Sequence, residues 1–180
     1  GRFTASTLPD AQDGYRLLFV GLMDTDQKGV HILLDALAMI LSRNRLSVPL
    51  HIDIIGGGSL QAGYEAQAKR LNIEQHITFH GLQPHTFIAK MMQECHALVL
   101  PSLHESLPLV IIEAMASGRP VICTRCGGPE YMVGENTGVI VEPGQARALA
   151  DGIADVLCNL DRYDPRVIAS IAEKRYSYEA

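Results

Sequence analysis

A chain of 180 residues, nearly half of them apolar, is about one domain long and can bury a continuous core without disulfide or metal staples. Its net charge of −5, with no run of Lys or Arg longer than two, gives no electrostatic footprint for nucleic acid or an anionic membrane, so neither is an expected direct partner. No stretch reaches the roughly 18 apolar residues that span a bilayer, and the start, Gly1-Arg2-Phe3-Thr4-Ala5-Ser6, lacks a signal peptide's apolar core. A cytosolic location is expected, and the scattered Cys95, Cys123, Cys126 and Cys158 fit reducing surroundings better than a disulfide framework.

In chain order, residues 1–15 are polar, carry Pro9, Asp10, Asp13 and Gly14, and read as a linker or frayed lead-in. Order is expected from about Arg16. Apolar runs of strand length then alternate with segments of helical period: Leu17 to Gly21, Val30 to Leu41, Leu50 to Ile55, Leu60 to Leu71. The rhythm continues with a strand at Ile77 to Phe79, a helix at His85 to Glu94, a strand at Ala97 to Leu100 and a helix at Pro108 to Ser117. Strands at Val121 to Cys123 and Gly138 to Val141 and a helix at Ala146 to Leu160 complete it. Strands apolar on both faces and separated by helices predict an α/β, doubly wound (Rossmann-like) parallel sheet of about six strands with helices on both faces. This lobe is assigned to residues 16–160. Residues 161–180 read as an extension cut before a terminal helix, with Ser177 placed as that helix's N-cap.

Cys123-Thr124-Arg125-Cys126 is a single C-x-x-C with no second pair, so no metal site is predicted; a strand-end and a loop cysteine are the simpler reading. Gly56-Gly57-Gly58 follows a strand but lacks the full dinucleotide fingerprint, and a plain strand-to-helix turn explains it as well as phosphate binding does. His51, His80 and His96 lie in or beside strands and read as structural; His31 and His85 open helices and read as surface residues.

The most informative stretch runs from Pro101 to Gly118. It follows a buried strand and opens a helix that is apolar all round except at Glu113, where a lone carboxylate requires a partner or a ligand. Pro108 suits the first helical position, which puts Glu113 roughly 7.5 Å along the axis and Glu105 in the preceding loop. The two acids therefore bracket a helix N-terminus at the carboxyl edge of the sheet, where unpaired N–H groups and the dipole favour phosphate.

Here the sequence resembles the retaining glycosyltransferases of GT-B fold (glycosyltransferase family 4, group 1), and specifically their carboxyl-terminal donor-binding lobe, which carries a Glu-x7-Glu signature. Glu105 and Glu113 have that spacing. The likeness runs from about Leu17 to Leu157 and takes in Val20-Gly21 with Lys28-Gly29, Ile54 to Gly58, Phe79-His80-Gly81, Pro101-Ser102 and Gly127-Gly128-Pro129-Glu130. The resemblance implies that Glu105 touches hydroxyls of the transferred sugar, that Glu113 grips the ribose and that Lys28 faces the diphosphate, making Glu105 and Lys28 the catalytic pair. It further implies donor contacts at Gly21 and Ser106, at the amides of Leu107, Leu109 and Val110, and near Gly81 and Leu82 for the base. The substrate would be a nucleoside-diphosphate sugar such as a UDP- or GDP-sugar, with no cofactor and no metal. The acceptor, a glycan, lipid or small molecule, would be held by an amino-terminal lobe outside this sequence. That lobe would also carry any peripheral association with the inner membrane face, and the isolated carboxyl-terminal lobe should transfer little.

Two positions depart from the family pattern. Relatives place an arginine directly after the first strand's glycine, whereas this chain has Leu22 and Met23 followed by Asp24 and Asp26; one phosphate ligand is missing unless Arg125 or the other lobe supplies it. Pro108 replaces a frequent glycine and cannot donate an amide proton. Glu130 reads as a turn residue and His104, beside Glu105, as a loop residue. Other readings are a two-lobed epimerase or phosphorylase, which should lack the Glu-x7-Glu spacing, and a non-catalytic nucleotide-binding or scaffold domain, which Leu22 favours.

Overall fold

The structure, a computed structural model, describes residues 3–43 and 45–176; Gly1, Arg2 and the N-cap proposed at Ser177 lie outside the described residues. The strands form where short apolar runs are bounded by glycine, proline or polar residues: β1 (Tyr15–Val20), β2 (Leu50–Ile55), β3 (Ile77–Gly81), β4 (Ala97–Leu100), β5 (Val121–Thr124) and β6 (Gly138–Val141). Between them lie α1 (Val30–Ser42), α2 (Gln61–Arg70), α3 (His85–Glu94), α4 (Leu109–Ala116) and α5 (Pro129–Met132), and α6 (Ala146–Cys158) and α7 (Pro165–Tyr176) follow.

The six strands are all parallel, in the order β3-β2-β1-β4-β5-β6. This is the expected doubly wound sheet. The chain runs outward from β1 to β3, then returns to pair β4 with β1 at Leu17↔Ala97 and Leu18↔Leu98 before running the other way. Right-handed crossovers then place α1 and α2 on one face and α3 and α4 on the other; α6 joins the first group by packing on α1, and α7 joins the second by packing on α4. The reversal leaves a crevice beyond the carboxyl ends of β1 and β4, the point at which open α/β sheets bind ligands. Leu17, Leu18 and Phe19 of β1, Ile52 and Ile54 of β2, and Leu98 and Val99 of β4 are fully buried, because each face of the sheet is covered by a helix layer.

Boundaries shift by a residue or two. β1 starts at Tyr15, whose N–H is donated to Pro49 O, and β3 continues through His80 to Gly81. Pro108 is not the first residue of α4. It is the cap, in extended conformation (φ −76°, ψ 97°), and the helix begins at Leu109. Nor is α4 buried all round: Ile111, Ala114 and Met115 face the core, while Leu109 is 61% exposed. The lead-in from Phe3 to Gly14 contains no helix or strand, yet Arg119, fully buried, holds it by donating from Nη1 to Thr7 O (3.0 Å) and from Nη2 to Ser6 Oγ. Residues Pro165 to Tyr176 are helical, with Ile168 and Ala172 buried.

Candidate functional site

Three loops at the carboxyl edge build the site. After β1, the chain makes a single 3-10 turn at Asp26–Lys28 and leaves it through Gly29 in the left-handed region (φ 69°). A side chain at Gly29 would put its Cβ 2.0 Å from Pro101 O, so only glycine lets the β1 and β4 loops touch here. Leu103 N–H is donated to Gln27 O (2.7 Å), which ties the two loops together. On the far side, Glu105 N–H is donated to Cys126 O (3.1 Å) and Gly128 N–H to Glu105 O (2.6 Å), a short parallel bridge between the β4 and β5 loops. Glu105 is thus fixed by its own backbone.

Its carboxylate is fixed as well. Lys28 Nζ lies 2.6 Å from Oε1, and Ser102 Oγ donates to the same oxygen at 2.8 Å. The side chains of Lys28 and Glu105 are 32% and 10% exposed, so the pair is partly shielded from solvent, and its charge-assisted bond is stronger than a surface ion pair. Ser102 is fully buried and accepts on its carbonyl the hydroxyl proton of Thr124. Glu113 sits two-thirds of the way along α4, 21% exposed, with His85 Nδ1 at 3.9 Å. Burial pushes the Glu113 carboxyl above the usual range, and the nearby imidazole offsets this only in part.

The structure brings Lys28, Glu105 and the start of α4 to one crevice. The first amides of α4, at Leu109 and Val110, have no intrahelical acceptor, whereas Ile111 N–H is already donated to Pro108 O (3.0 Å). Ser106 and Leu107 lie exposed in the loop before the helix, and Leu82, 74% exposed, follows β3. Gly21 closes β1 and donates its N–H to Ile55 O (2.9 Å).

The residues that depart from the family pattern are engaged elsewhere. Leu22 is 57% exposed and Met23 fully buried, so neither replaces a cation. Asp24 Oδ1 accepts Ser59 N–H (2.9 Å), and Asp26 Oδ1 accepts the hydroxyl of Tyr64 (3.0 Å), whose pKa burial and this bond push up to about 12. Arg125 is turned to Glu142 (3.3 Å), both exposed. The Gly56-Gly57-Gly58 segment is a packing turn: Met23 N–H is donated to Gly57 O (2.8 Å), and Leu60 N–H to Met23 O (2.9 Å). Glu130 reaches back to accept Gly127 N–H (3.0 Å), one residue before the cap of α5. Cys123 lies buried in β5 and Cys126 in the loop after it, and His104 is exposed.

Several supporting residues have no sequence signature. Buried Asp53 binds Arg16 Nη2 (2.8 Å) through Oδ2 and His80 Nε2 (2.7 Å) through Oδ1, which fixes the end of β3 from which Gly81 and Leu82 project. His51 pairs with Thr78 Oγ1 (2.9 Å), and His96 Nδ1 accepts Arg16 N–H (2.9 Å), so these histidines are structural as expected. His85, read from sequence as a surface residue, is 62% exposed but stands next to Glu113.

An all-parallel sheet with a Lys28–Glu105 pair and a helix N-terminus at its carboxyl edge defines a doubly wound, Rossmann-like α/β lobe. The chain belongs to the glycosyl transferases group 1 family, whose model matches residues 14–159. It is 32% identical over 174 residues to the D-inositol 3-phosphate glycosyltransferase of Corynebacterium urealyticum, a match covering 89% of this chain and 39% of that protein. It is similar in structure, at a TM-score of 0.79 and 25% identity, to Anabaena HepE in complex with UDP and glucose, over 92% of this chain and 45% of that one. In extent it matches the C-terminal domain of the glycosyl transferase group 1 family protein LpcC from Francisella tularensis, with a TM-score of 0.83 at 21% identity over 98% and 97% of the two chains; that likeness is one of fold. The chain thus spans 39% of the D-inositol 3-phosphate glycosyltransferase and 45% of the HepE chain, less than half of each.

Proposed function

We propose that the chain is the donor-binding lobe of a retaining, metal-independent glycosyltransferase that takes a sugar from a nucleoside-diphosphate sugar. The observation that carries this reading is the Lys28–Glu105 pair at 2.6 Å, at the sheet's switch point and beside the open end of α4. The lysine offers three N–H donors, so it can keep Glu105 and still meet a diphosphate. Phosphate oxygens would lie against Lys28 and the amides of Leu109 and Val110, where the helix dipole adds to the lysine's charge. Glu105 would face the sugar, Glu113 the ribose, and the Gly81-Leu82 turn the base.

The acceptor hydroxyl would attack the anomeric carbon on the face from which the nucleoside diphosphate leaves, so that configuration is retained. Charge developing on the leaving oxygen would be met by Lys28 and the helix terminus, in the role that a metal plays in other transferases. The acceptor belongs to a lobe outside this sequence, so the chain by itself should bind donor and transfer little. HepE in complex with UDP and glucose supports a uridine nucleotide as the first candidate.

Calorimetric titration of this chain with UDP, GDP, ADP and their glucose or mannose conjugates tests the reading, with Glu113→Ala and Lys28→Ala alongside. Saturable binding of one nucleotide, weakened about tenfold or more in each variant, is the expected result. Absence of binding at millimolar concentration would count against a donor lobe. A nucleotide-binding scaffold is the second reading, favoured by exposed Leu22 where a cation is usual and by Arg125 turned to Glu142. It predicts nucleotide binding without transfer even when the amino-terminal lobe is restored.

A further inference from the structure

We propose that Ser102 is a positioning residue of the transfer site: together with Lys28 it occupies Oε1 of Glu105 and so leaves Oε2 as the oxygen that receives the donor sugar. The inference rests on the donor-lobe reading and deepens it.

A carboxylate offers two oxygens and about four lone-pair directions, and a charged partner alone would let it rotate. Here both donors converge on one oxygen, Lys28 Nζ at 2.6 Å and Ser102 Oγ at 2.8 Å. Oε2 receives no hydrogen bond from the described residues and is not among their buried unpaired atoms, so it remains open to a ligand. The serine is itself held in place. It is fully buried, its carbonyl accepts the Thr124 hydroxyl, and the next residue's N–H is donated to Gln27 O at 2.7 Å. The hydroxyl therefore has one orientation, set by β4, β5 and the β1 loop together, and passes that precision to Glu105. A cation supplies attraction without direction; the hydroxyl supplies direction.

A purely structural serine would make the same bond, and its removal would lower stability or weaken all ligands alike. A positioning serine acts only where Glu105 meets the sugar. The experiment therefore compares a sugar nucleotide with its parent. UDP-glucose, GDP-mannose and ADP-glucose are titrated into the wild-type chain, and the tightest of the three, with its parent diphosphate, is then titrated into Ser102→Ala. The expected result is a loss of about tenfold in affinity for the sugar nucleotide and none for the parent. Ser102→Cys, close in volume and a weaker donor, should fall between wild type and Ser102→Ala, and it carries the same comparison if the alanine variant does not fold. Equal losses for both ligands, or none for either, would overturn the positioning role while leaving the donor lobe intact. If the wild-type chain binds neither ligand, the donor-lobe reading fails first and this one with it.

Discussion

Glu113 occupies a site that disfavours its charged form. Its carboxyl is largely buried, its pKa is raised by that burial, and His85 at 3.9 Å is too distant to compensate fully. Because the folded pKa lies above the unfolded one, the protonated form is the one that folding favours. Stability on this account is fullest below the unfolded pKa of about 4.3 and is lost as pH rises through the folded value. Glu113→Gln should therefore raise Tm at pH 7 by about 2–4 °C and leave it unchanged at pH 4, in paired thermal melts. The opposite sign applies at Lys28: Lys28→Ala leaves the largely buried Glu105 carboxylate with only the Ser102 hydroxyl and should lower stability by about 1–2 kcal/mol in urea denaturation. Glu113 was legible in the sequence as a carboxylate within an apolar helix, and Glu105 and Lys28 through the family resemblance. Ser102 on Glu105 was not. Nor was the Lys28–Glu105 pair, which joins residues 77 apart through a turn whose shape no local pattern records.

Elements are joined at the site by backbone contact, and Gly29 is the tightest joint. It is left-handed, and a methyl group there would meet Pro101 O at 2.0 Å, so Gly29→Ala adds a conformational penalty to a clash. A destabilisation of about 2–4 kcal/mol is expected, with loss of donor binding because Lys28 is the preceding residue. Arg119 joins the lead-in to the body of the lobe. Its guanidinium, fully buried and without a carboxylate partner among the described residues, is donated to Met92 O (2.7 Å) and Gln93 O (3.1 Å) in the last turn of α3, where the dipole's negative end faces it. Arg119→Ala should lower stability by about 2–4 kcal/mol, by leaving carbonyls unpaired and a void, and should speed proteolysis within residues 3–14. Nothing in the sequence set Arg119 apart, because arginine after Ser-Gly reads as a surface turn until its neighbours are known. Pro108 lies one position before the place its sequence predicts for a related reason: first helical residue and cap both suit proline, and only the backbone angle ψ distinguishes them.

Taken whole, the molecule has a covered sheet and an uncovered rim. Leu22, Leu82, Leu107, Leu109 and Tyr131 are between 57% and 83% exposed, and all belong to loops or helix starts at the carboxyl edge. Isolated exposed apolar residues are ordinary, but here several lie in the connections that leave the carboxyl ends of neighbouring strands. Replacing Leu107, Leu109 and Tyr131 together with serine should leave chemical stability within about 0.5 kcal/mol per site, because none is part of the core, and should reduce self-association in light scattering. A large fall in stability would mean that these residues belong to the packing of the lobe.

The sequence by itself determined the alternation of strand and helix, the doubly wound class, the boundaries to within a residue or two and the isolation of Glu113 as a lone charge in an apolar helix. Each of these depends on periodicity, on spacing along the chain or on a charge out of place among apolar neighbours, and all are one-dimensional signals. Only the tertiary structure decided that Lys28 and Ser102 share one oxygen of Glu105, that Asp24, Asp26 and Arg125 are engaged away from the crevice, and that one face of α4 remains open. These are matters of which loops meet at the switch point of the sheet, and contact across that point is set by the packing of strands far apart in sequence.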